Sequence, residues 1–205
     1  MLIFLSHQLA YLATPKTGTT ATEHALRPHA EIVFARNRKH LTAQRFQLRV
    51  APFLEQTFSV KCAAVAVMRD PVDQIRSWYR YRQSPKLDDT PMSSKGMSFE
   101  EFALAVISEA PPPAAQIGSQ HVFLTAGKQN ILVDHLFAYE EAARMQDFFR
   151  DKISKDLAFK EINVSQRVPA SISEGVLAKL RAARADEFAL YEHLTQAGGY
   201  LHTPR

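Results

Sequence analysis

Ala63-Ala64-Val65-Ala66-Val67-Met68-Arg69-Asp70-Pro71 opens with the most continuous apolar stretch of the chain and then stops on a cation, a capping residue and a proline. Six apolar residues without polar alternation read as a strand covered on both faces, the pattern of a parallel sheet between helices. Asp70 suits an N-cap and Pro71 the first helical position. The spacing then predicts a helix over 71–82, with Val72, Ile75, Trp78, Tyr79 and Arg82 along one broad side. Trp78 and Tyr79 read as packing residues, since they share that side with Ile75.

Working outward, residues 8–13 read as a short buried strand, 19–26 as a helix ending before Pro28, and 31–34 as a second strand. A basic loop, Arg36-Asn37-Arg38-Lys39-His40-Leu41, leads to helical spacing over 42–54. Beyond Arg82, residues 83–97 lack any period and read as a loop. Ser98-Phe99-Glu100-Glu101 has the form of a capping box opening a helix to Ile107. A short helix over 118–124, a fourth strand over 131–138, a helix over 140–152, a turn or strand over 158–164 and one long helix over 173–196 complete the chain, closed by Gly198-Gly199. Strands alternating with helices imply one α/β domain over 1–205 with a mainly parallel sheet, whose ligands lie at the carboxyl ends of the strands.

Composition narrows the function classes. The chain has 205 residues and one cysteine, Cys62, which excludes an internal disulfide and a cysteine-based zinc site. No apolar run reaches the ~18 residues of a membrane span, and Met1 to Leu5 has no positive flank of a signal peptide, so a cytoplasmic protein is expected. Residues 1–82 hold twelve Lys/Arg against five Asp/Glu, and residues 83–205 thirteen against sixteen. The positive excess in the first part is not gathered into a run or helical stripe, so an anionic small molecule is favoured over nucleic acid.

Two stretches carry chemistry. Ala13-Thr14-Pro15-Lys16-Thr17-Gly18-Thr19-Thr20 runs from a strand through a tight turn into a helix, and its amides, hydroxyls and Lys16 suit a phosphate. It is not a Walker-A loop, because Lys16 precedes Gly18 instead of following it; a plain strand–turn–helix corner with a capping threonine is the alternative. Arg69 at a strand end, with Ser77 two turns along the next helix, can hold a second phosphate; the alternative is an Arg69–Asp73 surface pair.

In this order, on successive strand–helix corners, Pro15-Lys16-Thr17-Gly18-Thr19-Thr20 and Arg69-Asp70-Pro71…Ser77 resemble the sulfotransferases that use PAPS, 3′-phosphoadenosine 5′-phosphosulfate. Tyr139-Glu140 and Asn163-Val164-Ser165 are similar too, and the likeness is to the carbohydrate-type and bacterial branch. The resemblance implies a three-layer, P-loop-NTPase-like fold with a central sheet flanked by helices. It implies that residues 15–20 (Pro15, Lys16, Thr17, Gly18, Thr19 and Thr20) bind the 5′-phosphosulfate, and that Arg69 and Ser77 bind the 3′-phosphate. The reaction would be metal-independent, in-line transfer of a sulfuryl group to a hydroxyl or amine of a carbohydrate or other polar acceptor, releasing PAP, with Lys16 stabilising the leaving group.

A hydroxyl acceptor needs a base, and His40 lies on the loop that the sheet rule brings over the same crevice. Arg36, Arg38 and Lys39 should depress its pKa and favour the neutral ring. Glu23 and His24 are weaker candidates for the base. Arg36, Arg38, Lys39, Arg45 and Arg49 are candidate contacts for an anionic acceptor, and the loops 36–41, 83–97 and 114–124 are expected to select it. The other histidines show no metal-ligand spacing, so no metal is expected. Two other readings stay open: a P-loop-like kinase using ATP, and a non-catalytic nucleotide- or nucleic-acid-binding protein.

Overall fold

The apolar run forms a strand over Ala63–Met68 at the middle of a six-stranded sheet. The computed structural model describes residues 1–127, 130–160 and 170–204. In chain order the strands are β1 (Leu2–Phe4), β2 (Leu9–Leu12), β3 (Ile32–Val33), β4 (Ala63–Met68), β5 (Thr125–Ala126), β6 (Asn130–Ile131), β7 (His135–Ala138) and β8 (Tyr200–His202). The large sheet has the order β3-β1-β2-β4-β7-β8, and β5 pairs with β6 in a small ribbon.

The centre is parallel: Leu9 of β2 lies opposite Ala63 of β4, and Val65 of β4 opposite His135 of β7. The flanks are not. β1 runs antiparallel to both β2 and β3, and β8 runs antiparallel to β7. The expectation of a mainly parallel sheet is thus corrected to a mixed one. The reason is local: only residues 5–8 separate β1 from β2, enough for a hairpin but far too few for a parallel crossover. The carboxylate of Glu31 holds that turn by accepting from the amides of Leu5 and Ser6 at 2.9 and 3.1 Å.

The helices are α1 (Thr19–Leu26), α2 (Ala43–Arg45), α3 (Ala51–Phe58), α4 (Pro71–Arg82), α5 (Phe99–Val106), α6 (Gln120–Leu124), α7 (Ala142–Lys152), α8 (Glu174–Ala183) and α9 (Ala185–Gln196). A π-helical turn over Phe46–Val50 joins α2 to α3. Alternation along β4 divides its burial between two cores. Ala64, Ala66 and Met68 face Phe46, Leu54, Phe123 and Leu194, whereas Val65 and Val67 face Leu26, Met145 and Phe149. Helices therefore cover both faces. A third cluster, with Ile75, Tyr79, Phe102, Leu180 and Phe188, seats α4 against α5 and the C-terminal helices.

Several elements match the reading closely: α1 and α4 start and end where expected, and Ser98 and Glu101 form the capping box. Others are corrected. The long final helix is interrupted at Arg184 (φ −120°, ψ 35°); Leu180 before the break and Phe188 after it pack in the third cluster, and Leu190 and Leu194 further along pack against the sheet. The fourth strand is shortened to β7, since Asp134 leaves the run to accept from the Ala64 amide at 2.7 Å. Residues 163–165, and most of the turn or strand expected over 158–164, lie outside the described residues. Among the described residues no helix is long and apolar enough to cross a membrane.

Candidate functional site

At the carboxyl ends of β2, β4 and β7 the chain turns into three corners that share one cleft of about 1030 Å³. Pro15, Lys16, Thr17, Gly18, Thr19 and Thr20 line it from the first corner, Arg69 and Ser77 from the second, and Tyr139 and Glu140 from the third. His40 reaches it from the loop after β3. The two stretches singled out in the sequence are therefore brought together, as the topology of a parallel centre requires.

The first corner is a tight turn built on a left-handed backbone. Thr17 Oγ1 donates to the Thr14 carbonyl at 2.9 Å, and Lys16 and Gly18 have φ of 66° and 70°. Gly18 is also the N-cap of α1 and contributes no side-chain cap, and with the Ala21 amide donating to the Gly18 carbonyl at 3.1 Å, the amides of Thr19 and Thr20 are left for a ligand or solvent. A capping threonine is thus not what holds this corner. A Cβ at Gly18 would stand 3.0 Å from Tyr139 Cε2, so both its backbone angle and its neighbour call for glycine. Gln74 of α4 donates to the Pro15 carbonyl at 3.3 Å, tying the first corner to the second.

The Lys16 ammonium lies 4.3 Å from the ring centre of Tyr81 and 5.4 Å from that of Trp78. Burial, then the neighbouring Arg69 and Arg82 cations, draws its pKa down to about 8. A cation held among cations needs an anion, and this is the electrostatic signature of the cleft.

Arg69 stacks over Tyr139, with the guanidinium carbon 4.5 Å from the ring centre, and its buried Nε has no hydrogen-bond partner. Its backbone is held from behind. Gln120 Oε1 accepts from the Arg69 amide and Gln120 Nε2 donates to the Arg69 carbonyl, both at 2.9 Å. The Gln120 amide donates in turn to Glu187 Oε1 at 2.9 Å, and Glu187 Oε2 pairs with Arg184 at 3.0 Å. Gln120 and Glu187 are 1% and 2% exposed, so this chain of contacts is fully internal. It extends the hydrogen-bonding of β4 one residue past its last strand neighbour and sets the direction in which Arg69 leaves the sheet.

The alternative Arg69–Asp73 pair is not formed: Asp73 is taken by Arg76 at 2.6 Å, and Asp70 caps α4 by accepting from the Asp73 amide at 2.9 Å. Ser77 is buried and faces the cleft. Glu140 accepts from the Asp70 amide at 3.1 Å and from the Tyr191 hydroxyl at 2.9 Å, which makes it a brace for the second corner.

His40 Nδ1 lies 2.6 Å from the Ala13 carbonyl. A carbonyl can only accept, so Nδ1 carries the proton and the Nε2 lone pair is left free. Its pKa is lowered, first by burial and then by Lys39 and the terminal ammonium, against the opposing effect of the Ala13 carbonyl. The expected cause is corrected here: of the basic loop, Lys39 acts on the ring while Arg36 and Arg38 do not. Glu23 is occupied by Lys39 at 2.8 Å, and neither it nor His24 lines the cleft. Arg36, Arg38, Arg45, Arg49 and the loops 83–97 and 114–124 do not line it either.

Sequence reasoning missed the far wall. Trp78, expected to pack, does pack against the third cluster and also lines the cleft with Arg80, Tyr81 and Arg82, and Lys160 joins them from beyond α7. The available signal was the alternation Trp78-Tyr79-Arg80-Tyr81-Arg82 directly after Ser77, in which Tyr79 is buried in the third cluster and Tyr81 is exposed. In all, Lys16, Lys39, Arg69, Arg80, Arg82 and Lys160 line the cleft against Glu140 as its sole carboxylate among the described residues. No group of three or more His, Cys, Asp or Glu that could hold a metal occurs among the described residues. No family model matches the chain, and no curated protein or solved structure matches it.

Proposed function

We propose that the cleft binds PAPS and that the protein is a sulfotransferase acting on a hydroxyl or amine of a carbohydrate or other polar acceptor. The observation that carries this reading is the convergence of Lys16–Thr20 with Arg69 and Ser77 in one cleft that, among the described residues, has six cations and a single, already engaged carboxylate. The residues suit the donor: an uncapped helix start and a left-handed glycine for one phosphate, and a guanidinium with an unpartnered Nε beside a buried hydroxyl for another. A three-layer, P-loop-NTPase-like arrangement is proposed with it, supported by the parallel trio β2, β4 and β7 and the turn from β2 into α1. The single buried thiol, Cys62, suits a reducing compartment such as the cytoplasm.

PAPS supplies a sulfuryl group whose bond to the 5′-phosphate oxygen breaks as the acceptor oxygen bonds to sulfur, releasing PAP. Arg69 and Ser77 hold the 3′-phosphate, and residues 17–20 the 5′-phosphate. Lys16 leaves its place on Tyr81 to balance the charge that grows on the departing oxygen. His40 Nε2 takes the proton of the acceptor hydroxyl, while its Nδ1–H stays on the Ala13 carbonyl and keeps the ring oriented. In a transfer assay with labelled PAPS, Lys16→Ala should lose about 10²–10³-fold in rate. An unchanged rate in that variant would overturn the assignment.

A further inference from the structure

The donor as assigned uses Lys16 and Arg69, and Lys39 is paired with Glu23, yet the far wall holds two more guanidinium groups. Arg82 is 6% exposed, faces the cleft, and has a buried Nε without a hydrogen-bond partner; the Arg80 Nε is buried and unpartnered too. No carboxylate among the described residues pairs with either. Arg82 lies over the same two rings as Lys16, its guanidinium carbon 5.2 Å from the Trp78 centre and 5.9 Å from the Tyr81 centre. The rings meet edge to face at 6.0 Å, so two cations flank one aromatic pair. A nearly buried guanidinium without a counter-charge is costly to keep unless an anion completes it.

We propose that Arg80 and Arg82 form a subsite for an anionic group on the acceptor, so that the compound sulfated here carries its own carboxylate, sulfate or phosphate near the reacting hydroxyl. This rests on the donor assignment above. Arg82 follows Ser77 by five residues, about 7.5 Å along the α4 axis. The subsite is thus displaced from the 3′-phosphate residues and adjoins Lys16, the reacting end. The exposed ring of Tyr81 beside it gives a sugar a face to lie on, and a guanidinium pairs with carboxylate, sulfate or phosphate through two parallel bonds.

The test is calorimetry on protein saturated with PAP, titrated with two probes that differ in one carboxylate: p-nitrophenyl β-D-glucuronide and p-nitrophenyl β-D-glucoside. A charge-assisted pair predicts that the glucuronide binds about tenfold or more tightly than the glucoside. Arg82→Gln should abolish that difference while PAP affinity stays within about threefold of the wild type. Arg80→Gln, at a more exposed position, serves if Arg82→Gln does not fold, and should reduce the difference. Equal affinities, including no measurable binding of either sugar, would overturn the proposal. So would a loss of PAP affinity beyond about tenfold in the variant, which would assign the guanidinium to the donor. Failure of the wild type to bind PAP is read first and would remove the donor assignment, and this subsite with it.

Discussion

His40 is the residue on which the chemistry turns, and its tautomer is set by one carbonyl. With Nδ1–H on Ala13, Nε2 is a base wherever the ring is neutral, and burial keeps it neutral to a lower pH than an ordinary imidazole. His40→Ala should therefore lower turnover about 10²–10⁴-fold while leaving PAP affinity nearly intact. Parallel losses in both would make it a binding residue instead. The pH profile of kcat/KM follows from the two shifted groups. It should rise through a pKa below about 6.5 as His40 loses its proton. It should fall again near pH 8 as free-enzyme Lys16 loses its own. A profile flat from pH 7 to 9 would contradict the role given to Lys16.

Gln120 acts at the same scale through Arg69. Gln120→Leu removes both side-chain hydrogen bonds to the Arg69 backbone, while the backbone N–H of residue 120 still donates to Glu187, so it should narrow the preference for PAP over AMP, which lacks the 3′-phosphate, by about tenfold. A purely structural role would weaken both nucleotides alike. Glu187→Gln keeps an acceptor for the Gln120 amide and should retain most of the preference.

At the scale of elements, the corners were legible and the edges were not. α1 and α4 announce themselves through Gly18, Asp70 and Pro71, whose conformational preferences act within a few residues. β1 and β8 are three residues each, too short for a period, and they exist because β2 and β7 offer them an open edge. The break at Arg184 was hidden as well, since the segment on each side of it has a helical pattern and no glycine or proline marks the interruption. Trp78 packs against the third cluster, as its helical spacing beside Ile75 implies, but its second role, lining the cleft, was not legible from that spacing. Gly18→Ala tests the tightest corner. Its left-handed backbone and the 3.0 Å approach to Tyr139 predict a loss of about 1–3 kcal/mol in chemical denaturation, with PAP affinity falling as Tyr139 is displaced from Arg69. Unchanged stability would mean that the turn adapts.

Across the whole molecule, the charge asymmetry gains a location. Part of the surplus of the first 82 residues, Lys16, Lys39, Arg69, Arg80 and Arg82, meets in one cleft, while Arg27, Arg36, Arg38, Arg45 and Arg49 are exposed outside it. The opposite end of the sheet has its own titration. His135 is stacked on His202 at 4.7 Å, and burial and then His202 lower its pKa. The unfolded chain then binds more protons than the folded one below about pH 6.5, so stability should fall as pH drops through that region. His202→Gln removes the like charge and should flatten that slope in melts between pH 7 and 5.

The donor assignment itself is open to one direct measurement: titration of the protein with PAP, AMP and ATP by calorimetry, with and without Mg²⁺. Two phosphates held by separate corners predict that PAP binds without Mg²⁺ and at least about tenfold more tightly than AMP. Binding of ATP with Mg²⁺ and none of PAP would contradict the account at its centre.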